Sequence, residues 1–316
     1  MIDKRTKKVF RTPEVINPPG VRYFIREVSP LFSMEGKAVP GVVFDVERLE
    51  NAGILGQLLI YKFMEYSMKK RCFLSPSFSI KENTFNEFRK TGFQKLVLSL
   101  AKEKKVQYES LKYEEEDGVF IAPINLATSD QGDAQDLYAP QIRDYYRDEK
   151  ESFLATLCVS EIASNYSAHA EDDTNSILVA KGNRRFFEIA CADNGIGIVS
   201  SLRPIFRGCP PYEVLLKATE RGVSSKKGTN HMGYGLWLVN ELVSMLKGEL
   251  YIFSDVAYYV NRAGKIKKGE SPYWRGTITY VRFPLVNRQS IENVYVTLKK
   301  RYNRIKIQRY HENSGS

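Results

Sequence analysis

The sequence predicts an α+β protein with two domains, and three observations support this fold class. A β-α-β pattern occupies the first third of the chain. A long amphipathic helix then precedes two strand-like runs joined by Gly182-Asn183, a dipeptide typical of tight hairpins. A further helix and two more strands complete the pattern before Pro284. We therefore expect a smaller α/β domain, followed by a two-layer sandwich whose mixed, largely antiparallel sheet is covered on one face by helices.

The composition is that of a globular protein. Of the 316 residues, 43% are hydrophobic and 27% are charged, which excludes a disordered or fibrous chain and is enough for two domains. The sequence has neither an apolar run of roughly 18 residues nor a signal peptide, so we expect a cytoplasmic protein without membrane contact. The four cysteines have no C-x-x-C spacing and the histidines are few, so we expect reduced thiols and no zinc site.

The net charge of +10 is concentrated at the two ends of the chain. Residues 1–11 hold five basic side chains against one acidic one, and residues 286–316 hold seven against two. These ends are either solvated tails or contacts for nucleic acid or for an acidic protein. The charged stretch 112–118 marks the predicted domain boundary. The expected organisation is a basic tail (1–19), a first domain (20–115), a second domain (116–285) and a basic carboxyl-terminal segment (286–316).

Apolar spacing predicts the elements of the first domain. A strand at 41–46 is followed by a helix at 52–70, whose apolar residues recur every three or four positions, and by a short strand at 72–74. A second amphipathic helix is predicted at 86–104.

The second domain begins with a strand at 119–126, a polar loop and a long helix at 148–168. Two strands, 176–181 and 184–192, flank the hairpin dipeptide. After a long loop, the remaining predicted elements are a helix at 236–247 that Gly248 ends, and strands at 249–254 and 277–283.

The long helix of the second domain has one polar stripe. Glu161, Asn165 and His169 follow each other at intervals of four residues, so they share one face. A carboxylate can orient an attacking hydroxyl or water, and a carboxamide can supply an oxygen to Mg²⁺ held by substrate phosphates. Taken alone, the stripe is more typical of an exposed helix face than of a functional site.

Two glycine-containing segments add to this pattern. Asp193-Asn-Gly195-Ile-Gly197 follows the second hairpin strand, where a carboxylate can accept from an exocyclic amine and glycines let the backbone approach a ligand. Gly233-Tyr-Gly235-Leu236 opens a helix, where backbone N–H groups and the helix dipole favour phosphate. Thr277, in the last strand, could reach the same ligand as Asp193. A plain turn is the alternative explanation of the first segment.

In this order, the four elements resemble the nucleotide-binding module shared by gyrase B, the Hsp90 chaperones, histidine kinases and the MutL proteins, known as the GHKL or Bergerat-fold ATPases. The resemblance covers roughly residues 117–285. Glu161-Ile-Ala-Ser-Asn165 is similar to the N box, the segments at Asp193 and Gly233 to the two glycine boxes, and Gly276-Thr277 to the terminal threonine box. No Walker A or Rossmann glycine pattern competes with this interpretation.

The resemblance implies ATP and Mg²⁺ as ligands and assigns a role to each residue. Asn165 would bind Mg²⁺, and Glu161 would be the general base. Asp193 and Thr277 would contact the adenine end, where Gly195 and Gly197 form the loop. Gly233, Gly235 and Leu236 would anchor a lid over the phosphates. Within this lid, at about 200–232, either Lys226 or Lys227 could reach the γ-phosphate, although solvated lysines are the simpler interpretation.

The reaction stays open between several members of the family. Glu161 resembles the base of the hydrolytic members, and Asn165 with His169 also resembles the anti-sigma-factor serine kinases. No histidine precedes His169, so autophosphorylation on histidine is not expected. We expect an ATP·Mg-binding regulator that hydrolyses ATP or phosphorylates a protein partner. The alternatives are an ATPase clamp on nucleic acid that uses the basic ends, and a pseudo-enzyme that only binds nucleotide.

The first domain resembles the STAS fold of anti-sigma-factor antagonists. The resemblance covers about residues 20–110 and rests on Val42-Val-Phe-Asp-Val46, followed by Leu49-Glu-Asn-Ala-Gly53 and a helix. The phosphorylatable serine of that family would fall at Asn51, so a phosphorylation switch there is not expected. A general β-α-β domain is the alternative.

Overall fold

A computed structural model describes residues 8–32, 42–69, 77–102, 108–111, 118–126, 131–169, 175–225 and 233–314. These residues form two sheets, one of three strands and one of five. In the described part of the chain, no helix combines the length and the apolar character needed to cross a membrane.

The amino-terminal region is built on a parallel sheet. Strands β1 (Lys8–Arg11), β2 (Val42–Asp45) and β3 (Ser77–Ser79) pair in that order. Helix α1 (Val21–Phe32) connects the first two strands, and α2 (Gly53–Lys69) connects the last two. A β-α-β unit is therefore present, with β3 as its last strand. The strand predicted at 72–74 lies outside the described residues, and the STAS resemblance stays a prediction.

Two details of this region differ from the sequence prediction. Strand β1 lies within residues 1–19, which the charge pattern assigns to a tail, and its Phe10 packs edge-on against Phe63 with ring centroids 5.4 Å apart. The helix predicted at 86–104 is divided into α3 (Glu82–Lys90) and α4 (Phe93–Ala101). Gly92 separates them because its φ of 83° is left-handed, which interrupts a right-handed helix.

The second sheet is antiparallel at every pairing that the structure describes. Its order is β4-β5-β6-β8-β7, so the two long carboxyl-terminal strands lie beside the predicted hairpin. The five strands are β4 (Val119–Asn125), β5 (Ile177–Gly182), β6 (Phe186–Ala192), β7 (Glu249–Arg262) and β8 (Lys265–Pro284). Strands β7 and β8 extend well beyond their predicted ends at 254 and 277, because the two form one long hairpin.

Helices fill the remaining segments of this region. The polar loop predicted before the long helix is helix α5 (Gln131–Tyr145), and the long helix itself is α6 (Glu149–His169). The loop predicted between β6 and the next helix contains two short helices, α7 (Gly197–Leu202) and α8 (Pro211–Lys217). Helix α9 (Gly235–Met245) then leads into β7, close to its predicted position.

Both faces of the five-stranded sheet are covered. Leu178 and Ala180 of β5 belong to the core formed with α5, α6 and α9, whereas the alternating Ile177 and Val179 belong to the core of the amino-terminal region. Helix α2 packs on β5 and β6, and α1 packs on β8. The predicted two-layer sandwich is confirmed, and the amino-terminal region adds a further layer behind its sheet.

The carboxyl-terminal segment, predicted only as basic, is helix α10 (Arg288–Ser314). Its apolar residues Ile291, Val294, Leu298 and Ile305 are buried in the same core as α6 and α9. At least the part of α10 up to Ile305 is therefore packed against α6 and α9.

Candidate functional site

Helix α6 presents Glu161 and Asn165 to a cavity. The two residues are one helical turn apart and therefore share a face, with Ser164 beside them. The space that these residues surround is roughly 610 Å³, and this volume includes space open to solvent. Glu161 is only 6% exposed, so its carboxylate lies in a wall of the cavity rather than on a solvated face.

The start of α9 forms the adjoining wall. A Cβ on Gly235 would lie 2.7 Å from Glu161 Oε2 and 3.3 Å from Asn165 Nδ2, so a side chain there would collide with the carboxylate. Gly235 and Leu236 stand in the first turn of α9, whose backbone N–H groups have no partner within the helix. Such a turn attracts anions. Because Gly235 has no side chain, the first turn of α9 can approach Glu161 and Asn165 on α6.

Gly233 fixes the chain just before this turn. Its φ is 70°, and a Cβ would lie 2.3 Å from the Val223 carbonyl oxygen. The Gly222 N–H donates to the Gly233 carbonyl at 3.0 Å. The two ends of segment 222–233, the last part of the predicted lid, are therefore held together. Lys226 and Lys227 lie between them, outside the described residues, as does the side chain of His169.

Asp193 stands at the end of β6, 4% exposed. Its Oδ1 accepts from the Gly195 N–H at 2.7 Å, and its backbone N–H donates to the Thr277 carbonyl at 3.0 Å. Gly197, with φ of 77°, has no room for a Cβ, which would lie 2.5 Å from the Gly276 carbonyl oxygen. The glycine therefore lets the loop after β6 pass close to β8.

The Asp193 group and the cavity meet at Ile198. The Ile198 N–H donates to Thr277 Oγ1 at 3.1 Å, and Ile198 itself lines the cavity. The structure thus places the predicted residues in two adjoining groups. The cavity group is Glu161, Asn165, Gly233, Gly235 and Leu236, and the group behind its wall is Asp193, Gly195, Gly197 and Thr277.

Sequence reasoning missed three residues that hold these groups in place. The Tyr166 hydroxyl donates to the Cys191 carbonyl at 2.9 Å, which ties α6 to the end of β6. The Ser254 hydroxyl donates to the Gly276 carbonyl at 3.0 Å, and the Trp274 indole N–H donates to the Asp193 carbonyl at 3.2 Å. Two of the three had a signal in the sequence, because Tyr166 directly follows Asn165 and Trp274 opens the segment that contains Gly276 and Thr277. Nothing in the sequence distinguishes Ser254.

The charge of the Glu161 carboxylate acts on its buried neighbours. Burial raises the pKa of the Cys158 thiol, and the Glu161 charge adds to this shift. Burial is also the main cause that raises the pKa of the Tyr166 hydroxyl, with Cys191 and Asp193 contributing. Cys158 and Tyr166 therefore stay neutral at ordinary pH.

A comparison with protein families supports the same interpretation. Residues 150–287 match the family model for histidine kinase-, DNA gyrase B- and HSP90-like ATPases. The match spans a little under half of the chain and contains both groups of site residues. No curated protein matches the chain. Residues 150–287 are therefore similar to the GHKL-type ATPases, and this similarity supports nucleotide binding by this region.

Proposed function

We propose that the protein is a regulator that binds ATP with Mg²⁺ between α6 and the start of α9, and hydrolyses ATP or transfers its γ-phosphate to a serine or threonine of a partner protein. The observation that supports this most directly is the close approach of Gly235 to Glu161 and Asn165 in the lining of one cavity. A carboxylate, a carboxamide and the start of a helix then surround one space. This combination suits a phosphate with its metal ion.

The residues around the cavity fit a magnesium nucleotide. Among the described residues, no three His, Cys, Asp or Glu side chains are grouped so that they could hold a metal by themselves. Mg²⁺ commonly takes only one or two protein oxygens and completes its shell with water and substrate phosphates. The Asn165 carboxamide oxygen would be such a ligand. When bound, ATP would supply the transferable phosphoryl group, and Mg²⁺ would neutralise part of the phosphate charge.

Glu161 is proposed to act on the attacking hydroxyl or water. Its carboxylate orients this group and accepts its proton, while the backbone N–H groups of Gly235 and Leu236 donate to the phosphates. Asp193 accepts from the adenine amine. A carboxylate has several lone pairs, so its bond from the Gly195 N–H is compatible with this role.

The amino-terminal region is proposed to respond to the nucleotide. Lys62 of α2 donates from Nζ to the Asn175 carbonyl at 2.5 Å, close to the start of β5. On β6, Ala192 faces the amino-terminal core, and the next residue is Asp193. A change at the adenine end therefore has a short packed route to α2. The STAS resemblance and the serine-kinase pattern of Glu161, Asn165 and His169 favour a signalling role.

The decisive experiment follows the phosphate label of γ-labelled ATP. Wild type, Glu161→Gln and Asn165→Ala are incubated alone, with DNA and with candidate partner proteins, while nucleotide affinity is measured by calorimetry over a magnesium series. Glu82→Gln, an exposed carboxylate in the first turn of α3, is the matched control.

We expect Glu161→Gln to lower turnover about 100-fold or more and to leave ATP affinity nearly unchanged. Asn165→Ala should weaken binding itself, and increasingly so as free magnesium falls. Label released as free phosphate indicates an ATPase, and label on a protein indicates a kinase. Stimulation by DNA would favour the clamp, and tight ATP binding without turnover would favour the pseudo-enzyme. Absence of ATP binding by wild type would refute the proposal.

A further inference from the structure

A second cavity lies between the base of the predicted lid and α10. Its lining residues come from three separate parts of the chain: Arg221 after α8, Trp237 in the first turns of α9, and Arg301, Arg304 and Ile305 on α10. The cavity encloses roughly 490 Å³, including space open to solvent. It shares no lining residue with the cavity of Glu161 and Asn165.

Positive charge dominates this cavity. The guanidinium carbons of Arg221 and Arg301 lie 5.6 Å and 5.3 Å from the centre of the Trp237 ring. Arg301 Nη1 pairs with Glu241 Oε2 at 2.5 Å, and this is the one ion pair that these three arginines make with the described residues. Two guanidinium groups thus stack on one aromatic ring, and Arg304 adds a third to the lining of the same cavity. A single carboxylate pairs with them. Two positive charges remain without compensation within that part of the structure.

We propose that this cavity binds a phosphate dianion, either free phosphate or the phosphate monoester of a modified side chain. Two uncompensated positive charges match its charge at neutral pH. A carboxylate offers two oxygens in one plane, whereas a tetrahedral phosphate can receive the planar forks of arginines that approach from different elements. Trp237 holds Arg221 and Arg301 in place by cation–π contacts, which reduces the rearrangement needed on binding.

The location gives the site a regulatory consequence that rests on the proposed function. Arg221 directly precedes Gly222, whose N–H donates to the Gly233 carbonyl and so joins the two ends of segment 222–233 of the predicted lid. Trp237 is in the helix whose first turn would receive the nucleotide phosphates. A phosphate bound between them should change ATP affinity, and ATP should change phosphate affinity by the same factor.

The two tryptophans of the chain allow a direct test by NMR of ¹⁵N-labelled protein. Trp237 lines the proposed cavity, and the indole N–H of Trp274 is bonded at Asp193, so each indole signal reports on a different site. Inorganic phosphate is titrated without nucleotide, and a phosphoserine peptide and its unphosphorylated form follow. Trp237→Phe assigns the signals. Arg304→Gln and Arg221→Gln test the site, and Lys300→Gln is the matched control because it removes an exposed charge beside Arg301.

Phosphate should shift the Trp237 signal and leave Trp274 in place. Each arginine variant should weaken this binding about tenfold or more, as expected for a lost charge-assisted hydrogen bond, whereas Lys300→Gln should not change it. Binding of the phosphoserine peptide but not of its unphosphorylated form would identify a modified protein as the source. An unshifted Trp237 signal with both probes would overturn the proposal, as would equal affinity in the arginine variants. Neither result depends on ATP binding, which Trp274 monitors separately.

Discussion

Replacing Lys62 by Met should destabilise the protein strongly, because it removes one charge of a buried pair. The Lys62 and Glu65 side chains are 0% and 1% exposed, and Nζ lies 2.6 Å from Oε2. Removal of one partner from such a pair typically costs about 3 to 5 kcal/mol, since the other charge stays in a dry environment. Glu65 keeps Lys69, at 3.3 Å, and the Asn175 amide as partners. The expected loss is therefore at the lower end, about 3 kcal/mol.

Urea denaturation followed by circular dichroism measures this loss as a change in the free energy of unfolding. Lys90→Met is the matched control, since Lys90 forms an exposed pair with Glu87 at 3.3 Å that should contribute less than about 1 kcal/mol. The double variant Lys62→Met/Glu65→Gln removes both charges and should recover part of the stability. If Lys62→Met costs no more than Lys90→Met, α2 is not packed against the sheet as described, and the reasoning fails.

Three further outcomes are expected. Gly235→Ala should weaken ATP binding about tenfold, because the added Cβ would lie 2.7 Å from Glu161 Oε2. Wild-type affinity by calorimetry would contradict the close approach of α9 to Glu161. Burial raises the pKa of Tyr251 to about 12, so the folded state holds this proton more tightly than the unfolded state does. The free energy of unfolding should therefore fall as pH rises above about 10, and a value that is constant between pH 8 and 11 would contradict this. Cys158 is buried and burial raises the pKa of its thiol, whereas Cys209 is partly exposed. A thiol reagent should therefore modify Cys209 but not Cys158 in the native protein. Peptide mapping by mass spectrometry that finds both modified would contradict the burial of Cys158.

Much of the candidate site was predictable because its residues stand at the ends of strongly patterned elements. The hairpin signal at Gly182-Asn183 marks where β6 begins, and Asp193 comes at the end of the apolar run that follows. The i, i+4 spacing of Glu161 and Asn165 placed both on one face of α6. Their distance to Gly235 could not be predicted, because it depends on how α9 packs on α6.

The errors in the fold prediction have identifiable physical causes. Segment 131–145 contains Gly132 and Pro140 and therefore has weak helix propensity, yet α5 forms because Tyr138 and Ile142 are buried against the second core. Strand β1 has only four residues with charges at both ends, which is too short for an alternating pattern to be recognised. In both segments, tertiary contacts outweigh the local signal.

The packing of helix α2 on the five-stranded sheet could not be predicted from its sequence pattern. A helix at the surface of a domain has one apolar stripe and one polar face. In α2 every residue from Ile54 to Ser67 is buried, including the polar Gln57, Lys62 and Glu65. Its polar side chains therefore belong to contacts rather than to a solvated face. Lys62 donates to the carbonyl of Asn175, just before β5, so this buried polar group fixes the position of α2 along the sheet. The neighbouring strand of that sheet, β6, ends directly before Asp193. Apolar packing alone would allow α2 to slide on that sheet. The hydrogen bonds of Lys62 and Glu65 with Asn175 specify one arrangement, so a displacement of either region would disturb the other.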